Sequence, residues 1–206
     1  MCSDAVIRFW NVEKRYGRRV ALAIDDFSIS SGERLLLLGP NGSGKSTLLR
    51  LLAGISRPTK GRIDRAMPER IRIGFVPQAG GLYGDMSLRQ NLAIFHRFFG
   101  NYGARPIVRR TFIEDAGLGR VMDVPLAELS GGLQKLATLA CMFTSAPDAL
   151  LLDEPTAGLD VKRAGLVLGV LRAWERLAFL VVSSHHVEGF DFIQRRVEIR
   201  DGNLLE

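Results

Sequence analysis

The stretch GPNGSGKST at residues 39–47 constrains the fold more than any other part of this sequence. It fits the pattern G-x-x-x-x-G-K-[S/T], and it lies between a short apolar run, RLLLLG, and a segment with helical spacing, KSTLLRLLAG. A strand–loop–helix order of this kind directs backbone N–H groups toward bound phosphate at a helix N-terminus. We therefore expect a phosphate-binding loop formed by Gly39, Pro40, Asn41, Gly42, Ser43, Gly44, Lys45, Ser46 and Thr47.

A second motif, ALLLDEP at residues 149–155, completes the chemistry that this loop requires. Lys45 would reach the β- and γ-phosphates, and Ser46 would ligate Mg²⁺. Asp153, at the end of a predicted buried strand, is placed to hold Mg²⁺ through water. Glu154 points in another direction and is the candidate general base for an attacking water. The sequence contains no Asn-Lys-x-Asp guanine-recognition motif, so a GTPase is not favoured.

Predicted strands and helices alternate along much of the chain, which indicates an α/β fold with a mostly parallel sheet covered on both faces. The segments AVIRFWNV and ALAIDDFSIS are predicted strands of a small N-terminal antiparallel section, joined by a basic turn at 13–19. Residues 87–146 carry only helical patterns. We expect one domain over 1–206, with a nucleotide-binding core (1–80 and 147–206) and an inserted helical lobe (81–146).

Composition narrows the class further. The chain has 206 residues, 47% of them apolar, and a net charge of +6 that is spread over separate clusters, as on solvated faces. Its two cysteines, Cys2 and Cys141, form no zinc or disulfide pattern, which fits a reducing cytosol. We expect no signal peptide and no membrane span, because runs such as LLLL at 35–38 are far shorter than the roughly 20 apolar residues required. Any membrane role would therefore use another chain.

The stretch LSGGLQK at residues 129–135 opens a predicted helix and resembles the signature of ATP-binding cassette (ABC) proteins. The order of P-loop, glutamine, signature, acidic strand and histidine extends this resemblance over essentially the whole chain. It implies a P-loop NTPase of the ABC ATPase fold that uses ATP and Mg²⁺. It also implies that two cassettes pack head to tail, so that Ser130, Gly131 and Gly132 cap the ATP on the partner's P-loop. Leu133 departs from the commoner glutamine, and Gln134 follows one place later.

Four further positions match the family. By resemblance, Tyr16 stacks on adenine, and Gln78 contacts Mg²⁺ and the attacking water. Asp160 contacts the partner cassette and is also a candidate N-cap of the following helix. His185 contacts the γ-phosphate and orients Glu154. A structural tyrosine at 16, a polar strand end at 78, and a role for the neighbouring His186 are the alternatives.

The resemblance implies an ATP-hydrolysing subunit, peripheral on the cytoplasmic face of the cell membrane, that powers a separate permease together with a second ABC chain. Residues 81–100 resemble the lobe of small exporter ATPases more than that of importers. A haem-handling cassette of cytochrome c maturation is the nearest alternative. DNA-repair, chromosome or translation ATPases are less favoured because 206 residues leave no room for their usual insertions or second cassette, and no nucleic acid partner is expected. The residues Lys45, Asp153, Glu154 and His185 argue against an inactive regulatory cassette.

Two local patterns leave alternatives open. Phe95, Phe98, Phe99 and Tyr102 share one helix face if their helix continues past Gly100, and they form either a core or a groove for a partner helix. The segment from Gly61 to Gln78 is short for the family, which predicts a trimmed sheet beside the nucleotide.

Overall fold

The computed structural model of the chain describes residues 6–67, 71–99, 106–174 and 177–205. The chain forms two compact units. The first comprises 1–75, 148–154 and 176–206, and the second comprises 76–147 and 155–175. The second unit thus includes 155–175, a segment that the predicted division assigns to the core.

The strands are β1 (Val6–Tyr16), β2 (Arg19–Ile29), β3 (Glu33–Leu38), β4 (Lys60–Ala66), β5 (Ile73–Val76), β6 (Ala149–Asp153), β7 (Phe179–Ser184), β8 (Arg195–Arg200) and β9 (Asn203–Leu205). Over the described ranges they form one nine-stranded sheet in the order β4-β1-β2-β9-β8-β3-β7-β6-β5. Strand β3 pairs in parallel with β7 and β8, and β6 pairs in parallel with β7. Strand β1 pairs antiparallel with β2 and β4, as expected for the N-terminal section.

Two features of this antiparallel section differ from the sequence prediction. The predicted turn at 13–19 is largely strand, because β1 continues to Tyr16 and β2 begins at Arg19. Charged residues there still pair through their backbones, and strand pairing does not require apolar side chains on a solvated face. Strand β4 was not predicted, because most of its side chains are exposed and it lacks the apolar–polar alternation of a half-buried strand.

The helices are α1 (Lys45–Leu52), α2 (Leu88–Phe99), α3 (Pro106–Asp115), α4 (Gly131–Ser145) and α5 (Val161–Ala173), with short 3₁₀ helices at Leu118–Val121 and Leu126–Glu128. The Asp160 carboxylate caps α5 by accepting from the Arg163 N–H at 2.9 Å, as the sequence predicts. Of the predicted aromatic face, Phe98 is 80% exposed, whereas Gly100 and Tyr102 lie outside the described residues. Among the described residues, no helix combines the length and apolar character needed to span a bilayer.

The core of the first unit positions the polar residues that follow its central strands. Strands β6 and β7 are completely buried, and β3 contributes the buried residues Leu35, Leu36 and Leu37. Because β3, β6 and β7 are parallel, their carboxyl ends lie at the same edge of the sheet. The 39–47 loop follows β3, Asp153 is the last residue of β6 with Glu154 after it, and His185 follows β7.

Candidate functional site

The 39–47 loop has a backbone that only glycine accommodates at two of its positions. Gly39 and Gly44 have φ angles of +144° and +119°. A Cβ at Gly39 would overlap the Ile199 carbonyl oxygen, and one at Gly44 would lie 2.8 Å from the Ala21 carbonyl oxygen. The loop is therefore shaped against its neighbouring strands in the same unit, and substitution at either glycine would displace it.

Lys45 lies folded over this loop with its ammonium buried. Its Nζ donates to the carbonyl oxygens of Gly39 (2.6 Å) and Pro40 (3.1 Å) and lies 3.5 Å from Glu154 Oε1. The residue is only 5% exposed. A positive charge is thus fixed where the loop would hold phosphate.

Glu154 is buried at the end of β6 and connects two other predicted site residues. Besides its ion pair with Lys45, its Oε2 lies 3.0 Å from His185 Nδ1. The ring of His186 packs edge-on against that of His185, and the His186 N–H donates to Ser184 Oγ at 3.2 Å. The structure therefore brings Lys45, Glu154 and His185 together, and the His185 ring is the one that bonds the carboxylate.

Ser183 joins the two acidic residues and was missed by the sequence analysis. Its hydroxyl donates to Asp153 Oδ1 at 2.6 Å and accepts from the Glu154 N–H at 3.0 Å. Ser183 pairs with Asp153 in the register of β6 and β7, and both side chains are buried. The sequence does show a polar residue at the end of the apolar strand β7. Its role could be inferred only once β7 was known to lie next to β6.

The loop also contains a buried hydroxyl suited to a ligand. Ser43 Oγ has no hydrogen-bond partner among the described residues, and the residue is 4% exposed. A buried hydroxyl without a partner is energetically costly, so this atom favours a bound group that supplies hydrogen-bonding oxygen. Together with the Lys45 ammonium and the N–H groups at the start of α1, it fits a polyphosphate. The hydroxyl of Ser46 and the carboxylate of Asp153 are hard oxygen donors of the kind that Mg²⁺ prefers.

Tyr16 lies at the end of β1, in the first unit. Tyr16 is 48% exposed, and Lys14 Nζ lies 5.1 Å from the centroid of its ring. An exposed aromatic ring at a strand end has a free surface on which a planar base can stack.

The remaining predicted residues belong to the second unit. Ser130 caps α4 by accepting from the Leu133 N–H at 3.4 Å, and Ser130 and Gly131 are both exposed. Gln78 is also exposed and follows β5. The predicted signature thus presents the first N–H groups of a helix at the surface of this unit, an arrangement suited to binding an anion.

The loop at 155–160, which carries Asp160, lies against the first turns of α4 within this unit. Lys135 Nζ donates to the Ala157 carbonyl oxygen at 2.9 Å. A Cβ on Gly132 would approach the Gly158 carbonyl oxygen to 3.7 Å. The signature and the loop that precedes Asp160 are therefore neighbours, although 22 residues separate Lys135 from Ala157.

A phosphate loop after one parallel strand, with paired carboxylates after a nearby parallel strand, defines a P-loop nucleotide-binding domain. Residues 22–157, more than half of the chain, match the sequence profile of the ABC transporter family. The chain belongs to this family, which confirms the family resemblance drawn from its motifs.

Curated relatives carry similar cassettes in longer chains. The Nod factor export ATP-binding protein I of Sinorhizobium fredii is 42% identical over 189 residues, which cover 87% of this chain and 53% of that protein. The protein of the same name from Burkholderia orbicola is also 42% identical over 189 residues, covering 87% of this chain and 60% of its own length. The chain therefore spans little more than half of these relatives.

Solved structures share the fold over nearly the whole chain. A dimeric post-hydrolysis state of the ATP-binding cassette MJ0796, bound to ADP and Pi, aligns with a TM-score of 0.81 and 25% identity over 97% of both chains. A bacterial Atm1-family ABC exporter with ATP bound aligns with a TM-score of 0.81 and 24% identity, over 100% of this chain and 39% of that one. These likenesses confirm the predicted ABC ATPase fold.

Proposed function

We propose that this chain binds MgATP on its 39–47 loop, hydrolyses it, and couples the hydrolysis to transport by a separate membrane permease. The observation that carries the proposal is that Lys45 and His185 both contact the buried Glu154 carboxylate beside the phosphate loop. Membership of the ABC transporter family supports the same activity. In this proposal the core is 1–80 and 147–206, and the helical lobe is 81–146.

The contacts in the structure suggest a role for each residue in ATP hydrolysis. Lys45 would exchange its carbonyl partners for the β- and γ-phosphate oxygens, which would also separate it from Glu154. The Glu154 carboxylate would then accept a proton from the attacking water, with His185 holding its Oε2 in place. Ser183 would hold Asp153 and the Glu154 backbone in register during this exchange. Tyr16 would stack on adenine.

Ser46, Asp153 and Gln78 are the residues that we propose for Mg²⁺. When bound, Mg²⁺ would neutralise charge on the phosphate oxygens. Mg²⁺ is commonly held by one or two carboxylates together with substrate phosphates, so Asp153 would be a sufficient carboxylate contribution from the protein.

We further propose that two chains pack head to tail, so that Ser130, Gly131, Gly132 and Asp160 of one complete the ATP site of the other. The dimeric post-hydrolysis structure of the MJ0796 cassette supports a dimer of this chain. The relatives are Nod factor export ATP-binding proteins, which supports an exporter in which this chain lies at the cytoplasmic face of the membrane and the permease is another chain.

Replacing Glu154 tests the activity directly. Glu154→Gln keeps the side-chain shape but removes the proton acceptor, so we expect phosphate release from MgATP to fall by at least about 100-fold. ATP binding, measured by equilibrium dialysis, should remain within about threefold of wild type. Glu188→Gln makes the same chemical change at an exposed position three residues after His185 and should leave turnover unchanged. Turnover of Glu154→Gln within threefold of wild type would exclude Glu154 as the general base.

A further inference from the structure

Arg19 links the hairpin that carries Tyr16 to the phosphate loop. It is the first residue of β2 and pairs with Tyr16 across the turn. Its Nη2 donates to the Gly42 carbonyl oxygen at 3.4 Å. One side chain therefore spans the distance between the aromatic end of the hairpin and the loop that would hold phosphate.

The strand that carries Arg19 is held firmly against this loop. The Ala21 carbonyl oxygen lies where a Cβ on Gly44 would be only 2.8 Å away. The turn between β8 and β9 ties the two together, because the Gly202 N–H donates to the Ser43 carbonyl (2.9 Å) and the Gly202 carbonyl accepts from the Ala23 N–H (2.7 Å). The position of Arg19 beside the loop is thus set by backbone contacts on both sides.

The charge of Arg19 is used differently from that of other cations nearby. Arg15 forms an ion pair with Glu13, and the buried Lys45 contacts Glu154. Arg19 is exposed, and its bond to Gly42 is a long one to a neutral carbonyl. A guanidinium carries five N–H donors in a planar fork that matches phosphate oxygens. The remaining guanidinium donors of Arg19 make no hydrogen bond to the described residues.

We propose that Arg19 binds the polyphosphate of the bound nucleotide, as a cation supplied by the hairpin in addition to Lys45. The inference rests on the proposed function, since it assumes that the loop binds a nucleoside triphosphate. Arg19 touches the loop and not the Tyr16 ring, whereas Lys14 lies over that ring, so its contact is with phosphate and not with the base. On nucleotide binding, the Arg19 guanidinium would either leave the Gly42 carbonyl for a phosphate oxygen or bind both of them at once.

The test is a fluorescence titration with trinitrophenyl-ATP and trinitrophenyl-adenosine, in EDTA so that hydrolysis does not occur. Wild type, Arg19→Ala and Arg19→Lys are compared with Arg18→Ala, which removes an adjacent exposed arginine from the same turn. A charge-assisted hydrogen bond contributes enough to predict that Arg19→Ala weakens trinitrophenyl-ATP binding about tenfold. Binding of trinitrophenyl-adenosine should change less than about twofold, Arg19→Lys should recover part of the loss, and Arg18→Ala should match wild type.

Three results would overturn the inference. Arg19→Ala could bind trinitrophenyl-ATP as tightly as wild type, or it could lose affinity equally for both ligands, which would indicate a base contact or a collapsed hairpin. Equal loss for Arg18→Ala would show a general effect of surface charge. Thermal unfolding of the ligand-free variants checks that the fold is intact. If the wild-type chain does not bind trinitrophenyl-ATP, or if ATP does not displace the bound probe, the proposed function fails as well. That outcome is recognised from the wild type alone, without any Arg19 variant.

Discussion

Glu154 has a backbone conformation that few residues other than glycine adopt. Its φ angle is +49°, in the left-handed region, which costs a non-glycine residue on the order of 1–3 kcal/mol. The contacts around it hold this conformation, because Ser183 Oγ accepts from its N–H while Lys45 and His185 hold its carboxylate. Asp153 instead accepts from Ser183 Oγ, so the two adjacent carboxylates have different partners and can serve different chemical roles.

Cys141 gives a prediction that tests the packing of a single side chain. It lies fully buried in α4, and burial raises the pKa of its thiol from 9.0 to about 12. The reactive thiolate is therefore scarce in the folded chain at pH 8, and in a Cys2→Ser background we expect Ellman's reagent to label Cys141 only after unfolding in guanidinium.

The same pKa shift makes stability depend on pH in the alkaline range. Below pH 9 the Cys141 thiol is protonated in both the folded and the unfolded chain, so the stabilisation from burying the neutral thiol is fully present. As pH rises from about 9 toward about 12 the unfolded chain ionises first, and stability should fall. In the labelling experiment, fast reaction of Cys141 with Ellman's reagent in the native chain at pH 8 would contradict the packing described for α4.

Asn91 organises the entry to helix α2. Its Nδ2 donates to the carbonyl oxygens of Tyr83 (3.1 Å), Met86 (3.3 Å) and Ser87 (3.0 Å), and its Oδ1 accepts from the Tyr83 N–H at 3.0 Å. The side chain is completely buried. The three carbonyls also accept from the backbone N–H groups of Met86, Leu126 and Asn91, whereas the Tyr83 N–H has the Asn91 amide as its partner.

Removing the Asn91 amide should destabilise the turn that leads into helix α2. We expect Asn91→Ala to lower the free energy of unfolding by about 2–4 kcal/mol, because the Tyr83 N–H loses its partner, three further hydrogen bonds are lost, and the buried site is left underpacked. Urea denaturation followed by circular dichroism measures the change. The control is Arg89→Ala, two residues earlier on the same helix, which removes an ion pair with Asp123 whose side chains are 62% and 73% exposed. An Asn91→Ala chain that is no less stable than the Arg89→Ala chain would contradict this role.

At the scale of the whole molecule, the proposed head-to-tail dimer predicts complementation between inactive chains. Lys45→Ala breaks the phosphate loop, and Ser130→Arg places bulk at the N-terminus of α4. If each ATP site uses Lys45 of one chain and Ser130 of the other, a mixed dimer holds one intact site and one doubly broken site. We expect the mixture to recover ATPase activity that neither chain has alone, up to about a quarter of wild type for random pairing of independent sites.

The matched control mixes Lys45→Ala with Glu154→Gln. Both changes affect residues that contact each other within one chain, so every site of the mixed dimer stays broken and no activity should return. Cross-linking between cysteines introduced at Ser43 and Leu133 provides an independent measurement. Cross-links that form only within one chain would show that the signature does not serve the partner's loop.

The sequence by itself determined those parts of the protein in which neighbouring residues act together. A phosphate loop depends on the backbone of consecutive residues, so GPNGSGKST predicted both its structure and its ligand class. The same holds for the acidic pair after the buried strand β6 and for the Asp160 cap of α5. The alternation of strands and helices was enough for the α/β class, because it reflects local periodicity.

Only the tertiary structure decided which distant residues meet. Ser183 reaches Asp153 from 30 residues away because β6 and β7 are neighbours in parallel register. Arg19 reaches Gly42 because β2 passes beside the phosphate loop. Strand β4 forms by pairing with β1, although its own residues carry no apolar alternation. Such contacts depend on strand order and register, which are set by the packing of the whole sheet and leave no signal in any short stretch of sequence.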